Sequence, residues 1–319
     1  MKVFITRELP EIAFRLLKQS IIPFDYFKSD NPIPRKLLLQ KVKKCDALIS
    51  LLTEKIDKEV IDNMPNCRII ANYAVGYNNI DIEYAKKKKI IVTNTPDVLT
   101  ESTADLTMAL VLACARRLSE GEKLVRSGKF KGWKPLLLLG MELKNKTFGI
   151  LGAGRIGSAV SKRAKSFGTN IIYNDNSKNP KLEREMNAKK VSLTDLLKNS
   201  DILSLHLPLN EKTYHYLNKD RLNQLKKNSI LINTTRGEII DEKALIKLLK
   251  KNKFMAVGLD VFENEPDLNP ELLKFPNVLV MPHLGSATEE ARNGMAELAA
   301  RNVINVLKGK PAITPIFKL

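Results

Sequence analysis

The stretch Thr147–Gly157, TFGILGAGRIG, decides the fold. An apolar run of strand length, Thr147–Leu151, meets Gly152, Gly154 and Gly157 at the spacing GxGxxG, and a helical stretch, Arg155–Phe167, follows and stops at Gly168. Gly152 permits the tight turn, Gly154 lets backbone approach a pyrophosphate, and Gly157 lets the helix pack on the strand, so that the helix N-terminus faces the phosphates. Three glycines alone are a weak signal. Here they join a strand to a helix, and the next strand, NIIYND, ends in Asp175, 18 residues after Gly157. A carboxylate there accepts hydrogen bonds from both ribose hydroxyls of NAD and repels the extra phosphate of NADP. Asn174 and Asn176 flank it, and no Arg follows at once to hold a 2′-phosphate, so NAD is favoured over NADP.

Outward from this unit the chain alternates strand and helix. Short apolar runs at Lys2–Ile5, Ala47–Ser50, Arg68–Ala71 and Ile90–Thr93 alternate with charged, periodic stretches. A second series follows at Thr147–Leu151, Asn170–Tyr173, Ile202–Leu205, Ser229–Asn233, Ala256–Leu259 and Val278–Met281. That rhythm predicts an α/β protein with two doubly wound parallel sheets. Glu101–Leu118, ESTADLTMALVLACARRL, carries almost no charge in its middle and is expected as a buried helix wedged between the domains. A second long helix runs from about Thr288 to Leu307, with Gly309 as its stop and Pro311 beyond. Too few residues follow it to form another unit, so the chain is expected to cross back and complete its first domain. The expected division is residues 1–98 plus 288–319 as a discontinuous substrate-binding domain and residues 99–287 as the dinucleotide-binding domain.

Length and composition bound the function. The 319 residues are 44% hydrophobic, ample for two domains of roughly 150 residues. A balance of 53 Lys and Arg against 35 Asp and Glu leaves a formal charge of +18, which admits a nucleic-acid-binding module as a rival reading. Yet 39 of the basic residues are Lys, often clustered as in Lys86–Lys89, whereas base readout and phosphate forks favour Arg. With no helix-turn-helix, zinc or aromatic RNA-binding motif, no nucleic-acid partner is expected. Cys45, Cys67 and Cys114 are odd in number and far apart, which points to a reducing, cytoplasmic setting without a disulfide framework or a metal site. The N-terminus MKVFITRELPEIAF reads as strand then helix rather than a secretion signal, and no apolar stretch approaches a membrane span.

An enzyme that moves hydride needs a group for the substrate proton and a cation for the substrate. Three histidines are available. His206 ends the strand DILSLH near the expected cofactor cleft and reads as packing or lining; His215, in KTYHYLNKD, reads as structural or exposed. His283 follows the strand VLVMP and precedes Gly285-Ser286, at the carboxyl edge where such sheets bind ligands. Arg236 follows the strand SILINTT, and its guanidinium suits a carboxylate in a bidentate fork. Glu265 follows the strand that carries Gly258 and Asp260; a carboxylate against an imidazole favours the protonated form and keeps a proton ready for a carbonyl oxygen.

The segments GAGRIG, NTTRGEIIDEKAL, GLDVFENEP and MPHLGSAT, in that order and spacing, resemble the D-isomer-specific 2-hydroxyacid dehydrogenase family over essentially the whole chain. IIANYAVGYNNID, VTNTPDVLTESTADL and HLGSAT are most similar to its glyoxylate and hydroxypyruvate reductase branch. The resemblance implies a flavodoxin-like substrate domain and a Rossmann NAD-binding domain. It implies Arg236 as binder of the substrate carboxylate and carbonyl, His283 as acid/base and Glu265 as its partner, with substrate also held by backbone amides at Val75 and Gly76. For the cofactor it implies Thr103, Arg155 and Ile156 beside the glycines, Asp260 at the nicotinamide amide, and Thr234, Thr235, Arg236, His283, Gly285 and Ser286 around the nicotinamide.

The implied reaction is NADH-dependent reduction of glyoxylate or hydroxypyruvate to glycolate or D-glycerate. Alternatives within the family are a D-3-phosphoglycerate or D-lactate dehydrogenase, or a non-catalytic NAD-sensing co-repressor. Formate dehydrogenases of the family carry Gln where this chain has Glu265, and the chain ends too soon after its last helix for a regulatory extension. A homodimer through the Glu101–Leu118 helix and its surroundings is implied, as is closure of the domains over a small pocket with Leu51, Leu52 and Tyr73 as candidate walls. Asn145 stands where relatives often have Gly, in an expected surface turn.

Overall fold

Two all-parallel sheets account for the apolar runs. The computed structural model describes residues 1–318, and its internal contacts divide the chain into two units: Met1–Leu99 with the segment from Ala287 onward, and Thr100–Ser286.

In the first unit, β1 (Val3–Ile5), β2 (Phe24–Tyr26), β3 (Ala47–Ser50), β4 (Ile69–Asn72) and β5 (Ile91–Thr93) lie in the order β2-β1-β3-β4-β5. The central strands β3 and β4 are buried throughout, which is why they read as continuous apolar runs. β2 escapes that reading: it is a three-residue edge strand, FDY, half-buried along its length. The helix Glu289–Leu307 packs on the helix Glu11–Gln19 and against β3 and β4, so the end of the chain belongs to this core. Asn302, fully buried, fixes the return. Its Oδ1 accepts from the amides of Ile313 (2.8 Å) and Thr314 (3.1 Å), and its Nδ2 donates to Thr314 Oγ1 at 2.9 Å. The chain then forms an antiparallel bridge between Thr93 and Pro315.

The second unit holds β6 (Thr147–Leu151), β7 (Asn170–Asn174), β8 (Lys189–Lys190), β9 (Ile202–Leu205), β10 (Ser229–Asn233), β11 (Phe254–Leu259) and β12 (Val278–Val280). Their order is β12-β11-β10-β9-β6-β7-β8. Only the two-lysine edge strand β8 has no apolar signature. From β6 the chain steps outward through β7 to β8, then returns to lay β9 on the other side of β6. That reversal opens a crevice beyond the carboxyl ends of β6 and β9, where doubly wound sheets bind ligands. One face is covered by the helices Thr100–Ala115 and Arg155–Ser166, with Ala104, Val111, Phe148, Ile150, Val160 and Ile232 in a common core. On the other face, Leu196, Leu203, Leu222, Leu231, Leu245 and Val257 form a second core.

The expected helix Glu101–Leu118 is corrected in its bounds. It runs from Thr100 to Ala115, ends where Arg117 takes φ +53°, and a separate helix, Leu118–Arg126, begins there. The Ala115 carbonyl accepts from the Met141 amide at 2.8 Å instead of continuing the helix. Its apolar surface packs within its own unit, against β10, β11 and the helix Arg155–Ser166. Asn145 sits in an exposed turn at φ +64°, a left-handed conformation that Asn tolerates better than most residues.

Candidate functional site

The glycine loop follows from the β6–helix junction. Gly152 takes φ +96°, and a Cβ there would lie 2.6 Å from the His206 carbonyl oxygen, so only glycine passes β9 at this point. A Cβ on Gly157 would come within 2.1 Å of the Gly152 carbonyl, which is how closely the helix seats against the strand. At Gly154 a Cβ would meet nothing, so the loop presents bare backbone to open space. The helix Arg155–Ser166 also starts without a side-chain cap or an acid in its first turn. Helices beginning after Asp57, Asp81, Asn179, Ser192, Asn218, Asp241 and Thr288 all have their N-termini capped by those side chains. An uncapped, glycine-lined helix start suits the anionic groups of a dinucleotide.

Asp175, just past β7, leans over this loop. Its Oδ2 accepts from the Ala153 amide at 2.7 Å. Asn179, which the sequence reading missed, grips the same residue: its Nδ2 donates to the Ala153 carbonyl at 2.9 Å and to Ser158 Oγ at 3.1 Å, while its Oδ1 caps the helix Pro180–Met186. The signal was present as Asn-Pro at a helix start.

On the other side of β9 the carboxyl edge carries the charged groups. β10 ends in Asn233, fully buried, whose Oδ1 accepts from the amide and hydroxyl of Thr235 and whose Nδ2 donates to the Arg236 carbonyl at 2.8 Å. This second missed residue fixes the turn that presents Arg236. Burial pushes the Arg236 guanidinium below its ordinary range, against the opposing pull of Glu265 and Glu238. A Cβ on the next residue, Gly237, would lie 1.9 Å from the Phe262 carbonyl carbon, so the Arg236 turn packs directly on the segment that carries Glu265.

His283 and Glu265 meet as a pair, Nδ1 to Oε2 at 2.9 Å, with both side chains about a quarter exposed. Glu265 Oε1 also accepts from the Phe262 amide at 3.2 Å. Asp260, 1% exposed, builds the turn beneath them. Its carbonyl accepts from the His283 amide at 2.9 Å, its Oδ1 from the Leu284 amide at 2.6 Å and its Oδ2 from the Gly285 amide at 2.8 Å. Burial raises its carboxyl pKa, while these amides and the His283 charge pull the other way. The Gly285 carbonyl accepts from Thr103 Oγ1 (2.9 Å) and Ser102 Oγ (3.0 Å). Thr107 Oγ1 donates to the Thr103 carbonyl at 2.7 Å and so accepts from Thr234 Oγ1 at 3.0 Å. The helix Thr100–Ala115 thus joins two turns, with Thr103 bonded to Gly285 above Asp260 and Thr107 bonded to Thr234 beside Thr235, and Ser286 comes next along the chain.

The remaining histidines differ in setting. His206 Nε2 meets Ser204 Oγ at 2.9 Å, and its Nδ1 is buried without a partner among the described residues. Burial pushes its imidazole down to about 3. His215 stacks on Tyr214 and pairs with Glu263 at 2.9 Å. In the first unit, Val75 and Gly76 follow β4, their carbonyls tied back by Asn94 Nδ2 and Asn72 Nδ2, each at 2.8 Å. Tyr73, expected as a pocket wall, is instead 3% exposed and donates to the Arg292 carbonyl at 2.9 Å. Among the described residues no helix is long and apolar enough to cross a membrane.

Comparison with known proteins follows the same lines. The family profile "D-isomer specific 2-hydroxyacid dehydrogenase, NAD binding domain" matches residues 108–285. A glyoxylate reductase of Thermococcus litoralis is 52% identical over 97% of this chain and 94% of its own length. One of Pyrococcus horikoshii is 50% identical, over 97% and 93%. Among solved structures, the TT0316 protein of Thermus thermophilus superposes with a TM-score of 0.93 at 40% identity, covering 99% of this chain and 100% of that one. A glyoxylate reductase from Paecilomyes thermophila gives 0.90 at 32% identity, covering 99% and 98%.

Proposed function

The chain belongs to the D-isomer-specific 2-hydroxyacid dehydrogenase family, and from that premise we propose that it reduces glyoxylate or hydroxypyruvate to the corresponding 2-hydroxy acid, with NADH preferred over NADPH. The observation that carries this reading is the His283–Glu265 pair on the same sheet edge as a half-buried Arg236. A bound reduced nicotinamide supplies the hydride that reaches the carbonyl carbon. The chain's own residues do the rest. Glu265 occupies Nδ1 of His283, which leaves Nε2 to deliver the proton to the carbonyl oxygen. Arg236 neutralises the substrate carboxylate and polarises the carbonyl, and its desolvated surroundings strengthen both effects. Val75 and Gly76 add backbone amides to the carboxylate. Gly152, Gly154, Arg155, Ile156 and Gly157 receive the pyrophosphate, Asp175 the adenosine ribose, and Thr103 with the turns at Thr234–Arg236, Asp260 and His283–Ser286 the nicotinamide.

Steady-state oxidation of NADH and NADPH, each with glyoxylate, hydroxypyruvate, pyruvate and phosphohydroxypyruvate, tests the proposal. The first two substrates with NADH should give the highest kcat/KM. Turnover of none of the four sinks the enzyme reading, and a preference for phosphohydroxypyruvate or pyruvate redirects it to the phosphoglycerate or lactate enzymes.

The working form is proposed as a homodimer through the surroundings of the expected Glu101–Leu118 helix, on the segment that follows it. The helix Leu118–Arg126 buries none of its residues, and Leu118, Val125, Trp133, Leu136 and Leu139 are all more than half exposed. So much apolar surface on one segment fits a second copy of the same segment. Light scattering should give twice the chain mass of 35.9 kDa for the wild type and the single mass for a Leu136→Glu, Leu139→Glu variant. A monomeric wild type removes the proposal.

A further inference from the structure

Glu265 sits on the segment Val261–Pro266, which lies outside helix and strand, yet its carboxylate must stay on His283 Nδ1 for that histidine to be oriented. The contacts that fix this segment come from elsewhere. Glu242 Oε1 accepts from the Glu263 amide at 2.6 Å, the Glu263 carboxylate pairs with His215 Nε2 at 2.9 Å, and Gly237 packs against the Phe262 carbonyl. Glu242 is the unusual member. It is 5% exposed, and the Glu238 and Glu263 carboxylates add to burial in raising its carboxyl pKa. A carboxylate in such surroundings costs free energy unless a hydrogen bond compensates. Its place in the first turn of the helix Glu242–Leu249 offsets part of that cost, and the Glu263 amide takes one oxygen.

We infer that Glu242 is a positioning residue for proton transfer: by holding the Glu263 backbone it holds Glu265 against His283. The inference rests on the reading of His283 as proton donor. Glu242 itself touches neither His283 nor Glu265 in the hydrogen-bond network, so its effect passes through the segment it anchors. Supporting residues of this kind are what keep a reacting pair within the narrow tolerance that catalysis needs.

A double-mutant cycle tests it. Glu242→Ala should lower kcat for glyoxylate by roughly 10- to 100-fold with little change in KM or in NADH affinity. Glu242→Gln, which keeps an acceptor oxygen for the Glu263 amide, should recover most of the loss. Because the effect runs through Glu265, adding Glu242→Ala to Glu265→Gln should cost almost nothing further. Multiplying losses in the double variant, or an unrescued Glu242→Gln, overturns the inference. Should Glu242→Ala fail to fold, Glu242→Asp, which withdraws the carboxylate by one methylene, serves in the same cycle. A second arm needs no substrate: hydrogen exchange at the Glu263 amide should quicken by roughly tenfold in Glu242→Ala while β11 amides stay protected. Unchanged Glu263 exchange defeats the inference on its own, whereas a wild type that turns over no 2-oxo acid defeats the functional reading and leaves this arm to judge the anchor.

Discussion

The two halves of the larger sheet's carboxyl edge are built on different principles. Around β6 and β7 the site is backbone: a glycine at φ +96°, a helix start without a cap, and a carboxylate that accepts from backbone amides of Ala153 and Ser177. Around β10 to β12 the site is side chain: Arg236 follows β10, Asp260 and Glu265 follow β11 and His283 follows β12, and buried polar groups such as Asn233, Asp260 and Glu242 hold these turns. The difference has a chemical reason. Phosphates are recognised by any set of converging amides, which a short loop can supply, whereas proton transfer requires particular side chains at fixed separations.

Three changes probe that contrast. His283→Ala removes the proposed proton donor and should cost roughly 10²- to 10⁴-fold in kcat. NADH affinity, measured by fluorescence titration, should persist because the glycine loop is untouched; near-normal turnover would take His283 out of the mechanism. His206 stands between the halves, at the end of β9, and its effect is on stability. Its imidazole sits at about 3 in the folded chain against an ordinary 6.5, so between those values only the unfolded chain takes up the proton. Stability from this group is therefore complete above pH 6.5 and falls as the pH drops toward 3. At pH 5 the loss should be about 2 kcal/mol, or roughly 30-fold in the folding equilibrium. Urea unfolding of the wild type and of His206→Asn at pH 7 and pH 5 checks this, since equal losses in both proteins would exclude His206 as the source.

The smallest effect is expected at Asp175. Asp175→Ala should weaken NADH binding by about tenfold, the scale of a charge-assisted hydrogen bond, and NADPH binding by less. Equal weakening of both would mean that the carboxylate only braces Ala153, to which it is already bonded.

The same contrast explains what could be read from the residues. Buried strands such as β3 and β9 announce themselves because both faces are covered and every residue is apolar or small. β2 and β8 do not, since an edge strand of three or two residues needs no apolar run. The Glu101–Leu118 stretch was legible as a buried helix but not in its end, because Arg117 leaves the helix through a contact of the Ala115 carbonyl with Met141, far along the chain. Gly152, Gly154, Gly157 and Asp175 could be found from spacing alone. Asn179 carries the signal of a helix cap but not of its hold on Ala153, and Asn233, at a strand end, and Glu242, in a helix's first turn, carry no signal of the distant amides and carbonyls they bind.

By itself, then, the sequence determined the alternation of strand and helix, the turn at the glycines and the identity of the charged groups, because each depends on residues a few positions apart. Tertiary structure alone decided that Glu265 reaches His283 rather than solvent, that Asp260 is spent on the turn beneath them, and that Tyr73 turns inward. Those outcomes depend on close packing between segments distant in the chain, such as Gly237 on Phe262, and such packing leaves no periodic trace in the residues that make it.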